Sequence, residues 1–147
     1  MRWWLLFIAA MMLSAPQAQA QSVYSVLSVN EVIGTWSHDC AQPSSESNPR
    51  LVISAPPTGY GRLVYDRGAA NANTVFIIRK ARDLSAARLL LHQSRAADDV
   101  LVDVVLGKEH GKIRLLSESE IGTGKELIRD GVTAATGQQT PWLAHCR

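Results

Sequence analysis

Apolar and polar residues alternate along several short segments of this chain, which is the pattern of β-strands with one buried face. The clearest is residues 100–106, where every second residue from Val100 to Leu106 is apolar and Asp103 lies on the opposite face. Further strands are predicted at residues 51–53, 62–65, 74–79, 112–116, 125–129 and 132–135.

Two segments are ambiguous. Residues 83–95 contain good helix formers and Asp83 or Ser85 could cap a helix, but the three leucines at 89–91 give no clean helical stripe and predicted strands lie on both sides. We therefore favour a strand over about residues 87–93. Residues 22–33 could form a short helix with Tyr24 and Leu27 at helical spacing, although their valines disfavour it.

Turn residues separate these strands. Residues 107–111 predict a hairpin loop, and residues 42–49, which are polar and bounded by proline, predict an irregular loop. Asp130-Gly131 predicts a tight hairpin turn, because that turn type needs positive φ at both central positions. Eight or nine short strands predict an all-β domain, an antiparallel meander that forms either a barrel or a sandwich.

The first twenty residues have the three regions of a secretory signal peptide. Arg2 supplies the positive charge, residues 3–13 are an unbroken apolar run, and Ala18 and Ala20 are the small residues that signal peptidase requires. We expect cleavage after Ala20, which leaves residues 21–147 as a single domain in the periplasm or outside the cell. The apolar run is too short for a membrane span, and no other stretch is comparable.

The exported part of the chain contains two cysteines, Cys40 and Cys146. In an oxidising compartment this pair predicts one disulfide that joins the two ends of the domain. Such a bond closes a loop over almost the whole domain, for which chain entropy gives a stabilisation of about 4–5 kcal/mol. Two free thiols or an intermolecular bridge are the alternatives.

Charge is unevenly distributed, although the formal net charge is only +2. Residues 50–95 carry eight basic and two acidic side chains, and the segments on either side are net acidic. A basic centre could face an acidic polymer or a lipid head group, but outward positions on strands account for it more simply. Nucleic-acid binding needs basic residues interleaved with exposed aromatic ones, so we expect no nucleic-acid partner.

Each cysteine is preceded, four residues earlier, by a tryptophan, and a histidine lies between the two. The four side chains are Trp36, His38, Trp142 and His145. A disulfide would draw these segments together, because bonded cysteines have Cα atoms about 5–6 Å apart. The four residues are therefore candidates for a ligand-facing patch or for a plug at one end of a barrel, and packing beside the disulfide is the favoured interpretation.

Catalytic and metal sites are less well supported. His38 and His145, even with Asp39, are too few ligands for a firm metal site, and no Gly-x-Ser-x-Gly motif is present. We therefore expect no catalytic residue, metal or cofactor, and an enzyme using these three residues is the least favoured alternative.

The remaining polar candidates have simpler interpretations. Asp98-Asp99 and the pair Glu118/Glu120 are interpreted as exposed acids at strand ends rather than as a general acid and base. His92 and His110 are expected at an outward strand position and in a solvated turn.

Gly34-Thr35-Trp36 lies after the candidate helix and at the start of the predicted strands. This segment resembles the Gly-x-Trp opening of lipocalin-like barrels, in which the tryptophan closes the barrel floor. In size, export and disulfide the chain is also similar to small periplasmic barrel proteins that inhibit lysozymes. The resemblance implies a small periplasmic β-barrel and assigns no functional residue.

We expect an exported, non-catalytic protein that binds an unknown small apolar or amphipathic ligand in the barrel mouth. The main alternative is a protein-interaction module, such as an inhibitor of an exported enzyme, with residues 42–49 or 107–111 as a projecting loop. A carrier requires an apolar cavity of roughly 300 Å³ or more, whereas an inhibitor predicts a filled core. The pattern specifies neither the ligand nor the oligomeric state.

Overall fold

The computed structural model describes residues 21–69 and 71–147, and the expected signal peptide, residues 1–20, lies outside them. The described chain forms one short helix followed by ten strands. Their bounds are α1 Val23–Val29, β1 Gly34–Ser37, β2 Arg50–Ser54, β3 Gly61–Asp66, β4 Thr74–Ser85, β5 Arg88–Arg95, β6 Leu101–Glu109, β7 Lys112–Glu120, β8 Glu126–Arg129, β9 Val132–Thr133 and β10 Leu143–Cys146. Within the described ranges, no helix is long and apolar enough to cross a membrane.

Antiparallel pairing closes the strands into a barrel. From β1 to β9 each strand pairs with the next, and β10 pairs with both β1 and β7. Strands β1 to β7 and β10 therefore form a closed ring, while the hairpin of β8 and β9 branches from β7. The prediction of an all-β antiparallel meander is confirmed, and the barrel is the correct choice over the sandwich.

The barrel interior explains most of the predicted strands. Val102, Val104 and Leu106 of β6 are fully buried, as their alternation predicts. The ambiguous segment is a strand, since β4 extends to Ser85 and β5 begins at Arg88. Leu89 and Leu91 face the interior, and Leu90 between them is buried as well, so no polar alternation marks this part of β5.

The short helix α1 covers one end of the barrel. Ser22 caps it by accepting a hydrogen bond from the Ser25 N–H at 3.1 Å. Val23, Val26 and Leu27 are buried against the barrel, so tertiary packing outweighs the low helix propensity of valine.

Two parts of the sequence interpretation need correction. The strands β1 and β10 were not expected as strands, because each has only four residues and they pair with each other only when the barrel closes. The expected loop at 107–111 is a two-residue turn, His110-Gly111, with φ of 49° and 71°. Asp130-Gly131 has φ of 50° and 73°, which confirms the predicted hairpin turn.

The Cys40–Cys146 disulfide is formed, with Cα atoms 5.3 Å apart. It joins the loop after β1 to the last residue of β10, and these two strands are also paired, with Trp36 opposite His145. The bond therefore lies beside the seam at which the first and last strands of the ring meet.

Candidate functional site

The end of the barrel opposite α1 opens into a cavity of about 610 Å³, called the mouth below. It lies where β3, β5 and β7 end and where β2, β4 and β10 begin. Its inner wall is apolar and includes Leu51, Leu63, Phe76, Val104, Leu115 and Leu143. Its polar lining includes Glu46, Tyr65, Arg67, Gln93, Arg95 and Glu118.

Strand register places the polar residues of β5 in the mouth. Residues opposite each other in an antiparallel pair point to the same face, and Arg95 lies opposite Phe76 while Gln93 lies opposite Val102. The inward face of β5 thus changes from leucine at its closed end to glutamine and arginine at the mouth. Arg95 is consequently an inward residue, not one of the outward charges that the basic centre of the sequence suggested.

A β-bulge places two carboxylates inside. On β7, Ser117 pairs with Val105 but Leu115 pairs with Leu106, so Leu116 is an extra residue on that strand. The bulge reverses the alternation and turns Glu118 and Glu120 to the interior, opposite Val104 and Val102. The prediction that these two acids are exposed at a strand end is wrong for this reason.

Arg95 is held by two carboxylates. Its guanidinium lies 2.8 Å from Asp98, an exposed acid as predicted, and 3.1 Å from Glu120, whose side chain is only 14% exposed. The positive charge inside the mouth is therefore compensated by two negative charges of the chain itself.

Glu118 is a half-buried carboxyl without an ion-pair partner in the described part of the chain. Neither the ion pairs nor the side-chain hydrogen bonds among residues 21–69 and 71–147 include its carboxylate. Burial raises the pKa of Glu118 above its usual value, Arg95 lowers it and Glu120 raises it further. Burial likewise raises the pKa of Tyr65, with Arg67 and Glu118 acting in opposite directions.

Gln93 has a buried polar atom that lacks a partner. The residue is 2% exposed, and its Oε1 accepts no hydrogen bond from any described residue. An unpaired buried acceptor costs about 1–3 kcal/mol, so this atom is a position at which a bound molecule that donates a hydrogen bond gains free energy.

The loop at residues 42–49 is irregular, as predicted, but it is anchored at the mouth. Asn48 is buried and its Oδ1 accepts hydrogen bonds from Ser37 Oγ at 3.0 Å and the Asp39 N–H at 3.1 Å. Its Nδ2 donates to the Asp39 carbonyl at 2.9 Å. Glu46, Ser47 and Pro49 from this loop consequently line the cavity.

The four aromatic candidates from the cysteine segments do not line the mouth. Trp36 lies in the core, 4% exposed, where its Nε1 donates to the Val32 carbonyl at 2.8 Å and its ring contacts His145 at a centroid distance of 4.7 Å. Trp142 packs beside Arg114, 5.8 Å from the ring centroid, and His38 is exposed. The disulfide thus brings Trp36 and His145 together, but not all four residues.

The other titratable candidates lie outside the cavity. His92 is on an outward strand position, as expected, and hydrogen-bonds Asp103 of the neighbouring strand. His110 is exposed in its turn, which confirms its prediction. Asp39 accepts a hydrogen bond from the Ala41 N–H, and in the described part of the chain no group of three or more histidine, cysteine or acidic residues has metal-site geometry.

Sequence reasoning missed Gln93, Arg95 and Glu118 as site residues. The alternation of Leu89 and Leu91 was the available signal for β5, because continuing it by two and four residues leads to Gln93 and Arg95. For Glu118 strict alternation gives the wrong face. No family model matches the sequence, and no curated protein or solved structure matches it either.

Proposed function

We propose that this protein is an exported, non-catalytic binding protein that holds a small apolar or amphipathic ligand in the mouth of its barrel. The observation that carries this proposal is the cavity of about 610 Å³, whose apolar wall is joined by a few polar groups. Small-molecule sites in proteins have this combination of volume, apolar lining and sparse polar groups.

A lipocalin-like arrangement of the barrel supports the proposal. Gly34 and Trp36 begin β1 directly after the helical end, and the buried Trp36 closes that end from inside. Gly34 has a positive φ of 141°, and a side chain there would collide with the His145 ring. The Gly-x-Trp segment thus has a defined packing role at the floor, and the opposite end is left for a ligand.

The alternatives receive less support from the same geometry. An inhibitor was expected to have a filled core and a projecting loop, whereas residues 42–49 pack at the cavity and the turn of the other loop has only two residues. An enzyme was expected to have a histidine beside a carboxylate in an open cleft. Among the described residues, none that line the mouth is a histidine. His110 and Glu109, 3.7 Å apart, line a separate depression of about 690 Å³ at the closed end.

The first experiment is native mass spectrometry of the protein purified from its own exported compartment. A mass excess that disappears on denaturation supports the carrier and delivers the ligand for identification. The second is titration with a neutral apolar fluorophore, N-phenyl-1-naphthylamine. We expect its fluorescence to rise on binding, and Thr74→Trp, which places an indole among the residues lining the mouth, to weaken binding by about tenfold or more.

Thr58→Trp is the matched control, since Thr58 is exposed in the loop between β2 and β3 and does not line the cavity. It should bind the fluorophore as the wild type does. A bare mass together with no fluorophore binding, or equal binding by Thr74→Trp and wild type, would contradict the proposed function.

A further inference from the structure

The charge of the mouth is the feature that selects among apolar ligands. Arg95 is neutralised by Asp98 and Glu120, at 2.8 Å and 3.1 Å. Arg67 and Glu46 also line the cavity and carry opposite charges. Arg67, Glu46 and Glu118 form no ion pair among the described residues. With Asp98 and Glu120 counted, four carboxylates accompany two guanidinium groups, so the mouth has an excess of negative charge.

Two acceptors without hydrogen-bond partners in the described chain belong to residues that line the same cavity. Glu118 of β7 and Gln93 of β5 lie on the strands that flank β6, and both line the cavity with Val104 between them. Gln93 is almost completely buried, and its Oε1 has no hydrogen-bond partner among the described residues. A carboxylate and an amide oxygen accept hydrogen bonds from an ammonium group, and the carboxylate also compensates its charge.

We propose that the ligand is a cationic amphiphile whose apolar body fills the mouth and whose ammonium group pairs with Glu118 and donates a hydrogen bond to Gln93. This inference rests on the proposed function, because it assumes that the cavity is the binding site. It adds the chemistry of the head group, which neither the apolar wall nor the volume determines.

An anionic head group is the natural competitor, since two arginines line the cavity. A fatty carboxylate would have to displace Glu120 or Asp98 from Arg95, or bind Arg67, while it approached the half-buried Glu118. Like charges in a poorly solvated site repel strongly. A neutral alcohol can donate to Gln93 but gains nothing from the charge of Glu118.

The test compares three ligands with the same alkyl chain, namely decylammonium, decanol and decanoate, by isothermal titration calorimetry below their micelle concentrations. We expect decylammonium to bind about 10- to 100-fold more tightly than decanol, because a hydrogen bond to a charged group is worth that factor. Decanoate should bind more weakly than either.

Glu118→Gln separates the charge from the shape of the cavity. This variant should lose about tenfold or more in affinity for decylammonium and keep its affinity for decanol. Glu109→Gln is the matched control, since Glu109 is exposed in the hairpin at the closed end of the barrel. It should bind all three ligands as the wild type does.

Gln93→Leu tests the second contact and keeps the charge. It should lower the affinity for decylammonium several-fold but leave the affinity for decyltrimethylammonium unchanged, because that cation has no N–H to donate. If decanol or decanoate binds as tightly as decylammonium, or if Glu118→Gln does not lower the affinity for decylammonium, the head-group inference is wrong and the cavity remains the binding site. If none of the ligands binds, the proposed function fails with it.

Discussion

Removing the Cys40–Cys146 disulfide should destabilise this barrel more than any single surface substitution. The two residues are 106 positions apart, so the bond restrains most of the chain after residue 20 in its unfolded state. For a loop of this length, the chain-entropy treatment gives about 4.7 kcal/mol. A typical domain is stable by only 5–15 kcal/mol, so the double variant Cys40→Ser/Cys146→Ser should be close to the limit of folding.

The loss should begin at the last strand. β10 has four residues and pairs with β7 at only two positions, Leu143 opposite Ile113 and Ala144 opposite Lys112. Without the covalent link beside it, this short strand depends on those pairs and on β1 to keep the ring closed. We therefore expect amide hydrogen exchange in β10 to accelerate before exchange in the long strands β5 and β6.

The assay is guanidinium chloride denaturation of wild type and double serine variant, with hydrogen exchange measured on both. Reduced wild type is the control, because loss of the crosslink alone should lower its free energy of unfolding as much as the two serines do. A loss below about 1 kcal/mol, with β10 as protected as before, would refute the argument that this bond secures barrel closure.

Three further changes test the floor and the mouth. Gly34→Ala should lower the free energy of unfolding by about 1–3 kcal/mol in thermal denaturation, because the positive φ is strained for alanine and the new Cβ meets the His145 ring. Adding His145→Ala to this variant should restore part of the lost stability. No restoration would mean that the collision with His145 is unimportant. Trp36→Phe should cost about 1–3 kcal/mol in urea denaturation, because the Val32 carbonyl loses the indole N–H; an unchanged midpoint would contradict this. Glu118→Gln should stabilise the ligand-free protein at neutral pH. The pKa of Glu118 is raised in the folded state, so the folded protein keeps this proton to higher pH than the unfolded chain does. The stability that the protonated carboxyl contributes is therefore present below the unfolded pKa and is lost as pH rises through the folded pKa. The stability difference between variant and wild type should therefore grow from acid to neutral pH, and parallel curves of stability against pH would refute it.

The parts of the fold that depend on local pattern could be predicted from the sequence. The alternation of residues 100–106 and the Asp130-Gly131 turn are each defined by consecutive residues, and the structure contains both the strand and the turn. The disulfide could be predicted as well, because two cysteines allow only one pairing within a chain. β1 and β10 could not, since each has only four residues and the pairing between them joins residues more than a hundred positions apart in the closed barrel.

The candidate site was missed because its residues depend on register. A single extra residue, Leu116, decides that Glu118 faces the interior instead of Ser117. Nothing in the local sequence marks that position as a bulge, because neither glycine nor proline is present there. A shift of one position exchanges the two faces of a strand, so the interpretation of these acids as exposed residues at a strand end was wrong.

The mouth is also where the chain departs from the rules that stabilise a barrel. At the closed end the inward residues of β5 are leucines, whereas at the mouth Gln93 has an unpaired oxygen and Glu118 has no ion-pair partner among the described residues. Each of these groups destabilises the ligand-free fold, and leucine or glutamine in place of Glu118 would remove the cost. Departures of this kind are typical of functional sites. A cationic ligand supplies what both groups lack, so the same substitution that stabilises the empty barrel should weaken binding, and that opposition distinguishes a binding site from an imperfect core.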